Sequence, residues 1–391
     1  MKYNFDKVID RSGTSAEKVE GLKHIWGRTD LIPLWVADMD FATAPFVTDA
    51  IRKRCENEVL GYTGKPDSYY NAIINWVKQR YDLIVTKEVI NFVPGIVPGI
   101  GMAKNCFTQK GDKVMIQPPV YHPFAWVTTR NERTLVINPL KWENGMYRMD
   151  LDAFREQIKG CKLFILCNPH NPGGVVWTEA ELRAIADICY DEKVLVFSDE
   201  IHADLTLPPH THRPFATVSE KARMNSVTFM SPSKAFNMPG LSASHALIFN
   251  EDLRKRFRIY MDAGELDMGH VFAFLSVEAA YSHGTEWLDQ CLAYIQGNID
   301  FVDEFLKKHA PKIKAIRPEA SYLVWLDCRE LELSQKDLNE FFVDKAHLAL
   351  NDGEMFGKEG IGFMRLNVAS PRCIIEKAMK QLADAYQLYI K

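Results

Sequence analysis

Met230-Ser-Pro-Ser-Lys-Ala-Phe-Asn-Met-Pro239 sets one lysine, Lys234, directly behind an apolar, strand-like run, Ser226-Val-Thr-Phe-Met230. Two hydroxyls, Ser231 and Ser233, stand beside it. An ammonium at the end of a buried strand is costly to desolvate unless it is paired or neutralised. Bonding its nitrogen to an aldehyde, as a Schiff base, removes that cost and makes the lysine chemically useful.

Outward from this stretch, residues 88 to 250 alternate short apolar runs with helical patterns. The strand candidates are Lys113–Ile116, Thr134–Ile137, Lys162–Leu166, Val194–Phe197, Val227–Met230 and Ala246–Phe249. Thr178 and Glu181 form a capping-box pattern at the head of a helical segment between two of them. Continuous apolar strands separated by helices predict a mostly parallel sheet covered by helices on both faces. In such sheets ligands bind beyond the carboxyl ends of the strands. A helical stretch from about Glu286 to His309 leads into a region of different rhythm. There Tyr322–Leu326 and Phe363–Asn367 read as strands, and Ile374 to Ile390 as a closing helix. The expectation is an α/β chain with a large domain over residues 46–285. A smaller α+β domain would be built from 1–45 and 286–391.

Composition excludes several classes. With 391 residues, 47% hydrophobic and 25% charged, the chain has the make-up of an ordinary globular protein. Its net charge of −4 argues against a dedicated nucleic-acid binder. No apolar run approaches membrane length, and the start lacks the apolar core of a signal peptide. The eight cysteines are scattered without a C-x-x-C pair, several inside apolar runs. Reduced thiols in a cytoplasmic protein are expected, with neither disulfides nor a structural metal.

Three successive predicted strand ends carry chemistry: Cys167-Asn-Pro-His-Asn-Pro-Gly-Gly174, Ser198-Asp-Glu-Ile-His202 and Ser231-Pro-Ser-Lys234. An asparagine, a carboxylate and a lysine thus share one sheet edge. Singly, each has a plain alternative: a tight loop for the first, a helix cap for Asp199, a solvated surface for the lysine. Together they match the parts of pyridoxal phosphate (PLP). Its pyridine nitrogen needs a buried carboxylate to stay protonated, a place for Asp199. Its phenolic oxygen needs a donor, which the Asn171 amide supplies. Its phosphate needs hydroxyls and a helix N-terminus: Ser231 and Ser233 offer the first. Pro94-Gly-Ile-Val-Pro-Gly-Ile-Gly101 offers the second, through the N–H groups of Ile96 and Val97.

These motifs, with Trp35-Val-Ala-Asp-Met-Asp-Phe41, Pro118-Pro-Val-Tyr-His-Pro-Phe124 and Met364-Arg-Leu-Asn-Val368, give the chain its likeness. It resembles fold-type I PLP enzymes of the aspartate aminotransferase superfamily along its whole length, and within them the MalY/PatB-type cystathionine β-lyases. The resemblance implies that Lys234 carries the Schiff base, Asp199 partners the pyridinium and Asn171 bonds the phenolic oxygen. It implies that Tyr121 stacks on the ring, that His202 lies beside the cofactor, and that Arg365 pairs with the substrate carboxylate, with Trp35 also at the substrate. It further implies a homodimer in which Tyr62, in Gly61-Tyr-Thr-Gly64, reaches the phosphate of the neighbouring subunit's cofactor.

Two departures from typical aminotransferases stand out. His202 replaces a tyrosine three residues after the aspartate, which favours the lyase branch. Ser242 stands where an arginine usually follows the lysine by eight residues, leaving part of the phosphate site unassigned. The expected activity is elimination of a thiol from L-cystathionine or a related cysteine conjugate. An aminotransferase, or a PLP-binding regulatory scaffold, are the alternatives. His210 and His212 read as a solvated loop rather than a metal site. His122 and His170 read equally as substrate contacts or loop packing, Phe41 and Phe124 equally as core or pocket, and Arg372 as structural or surface.

Overall fold

The computed structural model describes residues 3–389. Its centre is a seven-stranded sheet of β1 (Ile90–Val93), β2 (Lys113–Ile116), β3 (Thr134–Ile137), β4 (Cys161–Cys167), β5 (Leu195–Asp199), β6 (Ser226–Met230) and β7 (Ser244–Leu247). The spatial order is β1-β7-β6-β5-β4-β2-β3. All neighbours are parallel except β7, which runs against both β1 and β6.

The apolar runs are continuous because both faces are covered. Along β4, Leu163 and Ile165 join one core cluster while Phe164 and Leu166 join another. Helix α1 (Ile96–Phe107) supplies Ile96, Ile100 and Ala103 to the first, and α2 (Glu179–Asp191) supplies Leu182, Ile185 and Cys189 to the second. The capping box at Thr178 is formed, with the Glu181 amide 3.2 Å from the threonine hydroxyl and Glu181 Oε2 accepting the Thr178 amide at 2.8 Å. Glycine at 99 lets α1 lie close on the sheet, since a Cβ there would sit 2.8 Å from Val93 Cγ2.

The last strand of the central sheet corrects the sequence reading. It begins at Ser244, two residues before the expected Ala246, and ends at Leu247, not Phe249. Because it is antiparallel, it presents its start, not its end, at the edge where β6 and β1 finish: Ser244 pairs with Val93 and His245 with Met230.

Beyond the long helix α3 (Thr285–His309) lies a four-stranded antiparallel sheet. It contains β8 (Lys314–Ile316), β9 (Leu323–Asp327), β10 (Asn351–Asp352) and β11 (Phe363–Asn367), in the order β8-β9-β11-β10. Helix α4 (Arg372–Tyr389) closes the described chain. The N-terminal segment joins this region: Ile32 and Pro33 pair in parallel with Leu348 and Ala349.

Candidate active site

Adjacent strands β4, β5 and β6 end in register, with Cys167 opposite Asp199 and Asp199 opposite Phe229. The loops leaving them bound a cavity of about 200 Å³ that also takes in the N-terminus of α1. Lys234, Asp199, Asn171, Tyr121, His202, Ser233, Ile96 and Val97 all line it. Eight residues named from sequence therefore meet in one hollow.

Asp199 is buried, and one carboxylate oxygen accepts the Ile201 amide at 3.1 Å. Burial pushes its carboxyl up to about 7, with the neighbouring Glu200 charge adding to the rise; the Ile201 amide and Lys234 pull the other way. A carboxylate in this setting calls for a cationic N–H partner. Lys234 Nζ donates to the carbonyl of Ala37. Burial, then the nearby Arg365, brings its ammonium down to about 8, against the pull of Asp38 and Asp199.

Arg365 sits mid-strand on β11, opposite Asn351 on β10. Its guanidinium donates to Asn171 Oδ1 at 3.1 Å, Trp35 O at 3.1 Å and Asn351 Oδ1 at 2.5 Å, with its plane over Phe356 at 4.8 Å. The Nε is buried without a partner, and no acidic side chain pairs with this guanidinium among the described residues. Burial lowers its proton affinity, to a pKa of about 10. A buried cation with neutral acceptors only is short of one anion. Asn171 is oriented in the process. Because its oxygen takes the Arg365 hydrogen, its NH₂ group is left for the cavity.

At the other end, Gly95 adopts φ +111°, a conformation open to glycine, and gives α1 no side-chain cap. The first N–H groups of α1, at Ile96 and Val97, are thereby left for an anion. Ser233, Ser242 and Ser244 add hydroxyls to the lining. The orphaned Arg365 Nε, the half-satisfied Asp199 and the uncapped helix end fit PLP and an amino-acid carboxylate part by part.

Several expected residues stand elsewhere. Ser231 does not line the cavity. Its hydroxyl donates to Ala243 O at 2.7 Å and accepts the Ser233 amide at 3.1 Å, so it braces the turn that aims Ser233. The Trp35 indole packs edge-on against Trp26 and donates to Lys18 O; only its backbone carbonyl reaches Arg365. Tyr62 is 98% exposed and apart from the cavity of its own chain.

His212 corrects the solvated-loop reading: it is buried, with Nε2 2.8 Å from Glu200 Oε2, while His210 remains at the surface. His170 packs its loop, with Nε2 on Pro119 O at 2.8 Å and Nδ1 accepting from Gly173. His122 packs against Trp126, and burial lowers it, like His170, to about 4. Phe41 and Phe124 are core, and Arg372 holds Asn298 in a structural role.

Sequence reasoning missed Ser244, Asn351, and the ion cluster behind the Trp35–Phe41 motif. In that cluster Arg11 and the fully buried Lys18 bind Asp38 and Asp40 at 2.6 to 3.6 Å. The alternating aspartates of Ala-Asp-Met-Asp-Phe were its available signal.

The model of the family described as aminotransferase class I and II matches residues 29–382. The chain belongs to that family. Cystathionine beta-lyase PatB of Bacillus subtilis (strain 168) is 38% identical over 98% of the chain and 99% of its own length. Cystalysin of Treponema denticola, whose structure contains a pyridoxal 5′-phosphate cofactor, superposes with a TM-score of 0.96 at 33% identity, covering all of both chains. The PLP-bound C-S lyase of Staphylococcus hominis superposes with a TM-score of 0.91 at 35% identity, covering 99% of this chain and 98% of that one.

Proposed function

We propose that the protein is a PLP-dependent carbon–sulfur β-lyase that converts L-cystathionine, or a related cysteine conjugate, to pyruvate, ammonia and a thiol. One observation carries the reading: Lys234, Asp199 and Asn171 line a single cavity, and the buried, acid-free Arg365 donates to Asn171 at its wall. The names of the similar full-length proteins support the same reaction. In the assigned roles, Lys234 bonds the cofactor aldehyde, Asp199 faces the ring nitrogen, the Asn171 amide faces the phenolic oxygen and Tyr121 covers the ring. Ser233 and the amides of Ile96 and Val97 hold the phosphate.

Bound there, PLP supplies an aldehyde for the substrate amine and an electron sink at Cα. The chain's own residues do the rest. Arg365 holds the substrate carboxylate by two parallel N–H bonds, which fixes which Cα bond faces the ring. Lys234 Nζ, released by the incoming amine and depressed to about 8, is basic enough to take the Cα proton and neutral often enough to do so. The Ala37 carbonyl holds that amine at the cavity wall. Departure of the β-thiolate, and hydrolysis of what remains, complete the elimination.

The protein works as a homodimer in this reading, with Tyr62 completing the partner's phosphate site. The run of exposed Val59, Leu60 and Tyr62, at 73%, 57% and 98%, favours cover by a second copy. The division into 46–285 and 1–45 with 286–391 is likewise proposed, supported by the Ile32–Leu348 pairing.

Purified protein incubated with L-cystathionine, with pyruvate and free thiol assayed separately, tests the activity. Both products form without an added 2-oxo acid if the reading is right. Amino transfer that strictly requires an oxo acid overturns it.

A further inference from the structure

Directly behind Asp199 lies a second buried acid that the chemistry above does not use. Glu200 follows Asp199 at the end of β5, with its amide on Phe229 O at 2.9 Å. Its oxygens take three contacts: Ser198 Oγ and the Phe215 amide on Oε1 at 2.8 Å each, and His212 Nε2 on Oε2 at 2.8 Å. The two side chains of the pair are 0% and 1% exposed. The loop carrying His212 closes over this carboxylate with no solvent between them. Such a group costs several kcal/mol to bury, so a merely structural filler would more readily be apolar.

The setting is electrostatic as well as steric. On the far side, His212 meets the edge of Tyr81 at 5.5 Å. Tyr81 and Trp76 both donate to a further buried acid, Asp204, which also feels His212 and Arg80. On the near side, Asp199 faces Glu200, Lys234 and Tyr121. A negative charge one residue behind a carboxylate, with low-dielectric protein between, makes that carboxylate hold a proton, or a protonated partner, more tightly.

We propose that Glu200 is a positioning residue, held by His212, that acts through Asp199 to keep the ring nitrogen of the bound cofactor protonated. This rests on the PLP reading of the cavity. Asp199 touches the ring; Glu200 never does. It supplies a fixed negative potential, while the Ser198, Phe215 and His212 contacts stop it from turning away or drawing in water.

The test uses intact protein loaded with ¹⁵N-labelled PLP, following the ring-nitrogen chemical shift against pH. Wild-type protein must first load and show the signal; if it does not, the cofactor reading fails. Given that signal, Glu200→Gln keeps the shape and removes the charge. The ring nitrogen should then lose its proton about one pH unit lower, a tenfold loss of proton affinity. His212→Gln leaves the Glu200 charge in place and should hold the native value or rise above it. No fall in Glu200→Gln, or equal falls in both variants, would show that packing and not charge matters, and overturns the proposal. Should Glu200→Gln fail to load, His212→Gln decides alone: the native value or a rise supports the proposal, a fall overturns it.

Discussion

Replacing Arg365 by lysine separates charge from geometry at the proposed contact with the substrate carboxylate. The guanidinium now donates to Asn171, Trp35 O and Asn351 and keeps one buried Nε–H unpaired. A lysine ammonium retains the positive charge but offers a carboxylate one bond in place of two. One lost charge-assisted bond costs about 1.5–3 kcal/mol, and a carbonyl or amide oxygen left buried and unpaired adds about 1 kcal/mol. The total of about 2.5–4 kcal/mol corresponds to a roughly 70- to 900-fold fall in kcat/KM. Most of it should appear in KM, because the carboxylate is held in ground and transition states alike. Steady-state kinetics on L-cystathionine, paired with spectrophotometric titration of cofactor uptake, measures both halves. Uptake should stay near wild type. A kcat/KM within about threefold of wild type would refute the assignment of Arg365 to the substrate. A collapse of cofactor uptake would move Arg365 from the substrate to the scaffold of Asn171.

Lys234→Ala should abolish the visible absorption of the loaded protein and all pyruvate formation, while the thermal midpoint of the cofactor-free form at neutral pH does not fall, since a costly buried ammonium is removed; a surviving band means another amine holds the aldehyde. In the cofactor-free protein Asp199 and Lys234 together contribute least near pH 7–8, against the opposite slope of His122 and His170, which burial lowers to about 4 and which gain as pH climbs toward 6.5. Asp199, raised to about 7 from an ordinary 3.8, binds a proton more tightly folded than unfolded, so its contribution is lost as pH climbs from about 4 to 7, by at most about 4 kcal/mol. Lys234, lowered to about 8, disfavours folding below that pH and relents as pH rises toward 10.5. Urea melts of wild type and Asp199→Asn across pH check this: wild type should lose stability relative to the variant between about pH 4 and 7, and a difference that stays constant contradicts it. Trp35→Phe should change kcat/KM less than threefold, since only the backbone carbonyl meets Arg365. Mixing the inactive variants Tyr62→Ala and Lys234→Ala, with subunit exchange, should restore roughly a quarter of wild-type activity if each site borrows Tyr62 from its partner; no recovery argues for self-contained sites.

What could be read from the chain beforehand followed a clear physical line. Strand ends are legible because the apolar run stops and turn-formers begin, which is why Asp199, Asn171 and Lys234 could be placed on one edge. Direction is not legible: nothing in Ser244-His-Ala-Leu247 says that β7 runs antiparallel, so Ser244 at its start escaped notice. A side chain's own orientation is also invisible to pattern. Ser231 and Ser233 look equivalent in Ser-Pro-Ser-Lys, yet one hydroxyl is taken by Ala243 O while the other faces the cavity. His212, between a threonine and an arginine in a proline-rich loop, has every local mark of exposure. Its burial comes from Glu200, twelve residues away, which only the fold brings to it.

The strap from Leu34 to Thr43 shows how the two sheets make one site. Asn367, at the end of β11, donates to Val36 O and Asp38 O at 2.7 Å each and its amide binds Leu34 O. Three residues past the lysine, the Asn237 side chain binds the amide and carbonyl of Met39 and the carbonyl of Phe41. Within the stretch that Asn367 holds hang the two carbonyls that matter: Trp35 O on Arg365 and Ala37 O on Lys234. Arg11 and Lys18 then anchor the same strap through Asp38 and Asp40. A carbonyl that must touch a lysine from one sheet and follow an arginine from the other cannot be carried by either sheet alone. A short segment tied to both meets that demand, and the buried ion cluster makes its position stiff. The spacing between the proposed base, Lys234, and the proposed carboxylate anchor, Arg365, is therefore a property of this strap, and in that reading its polar clamps act by geometry without touching substrate.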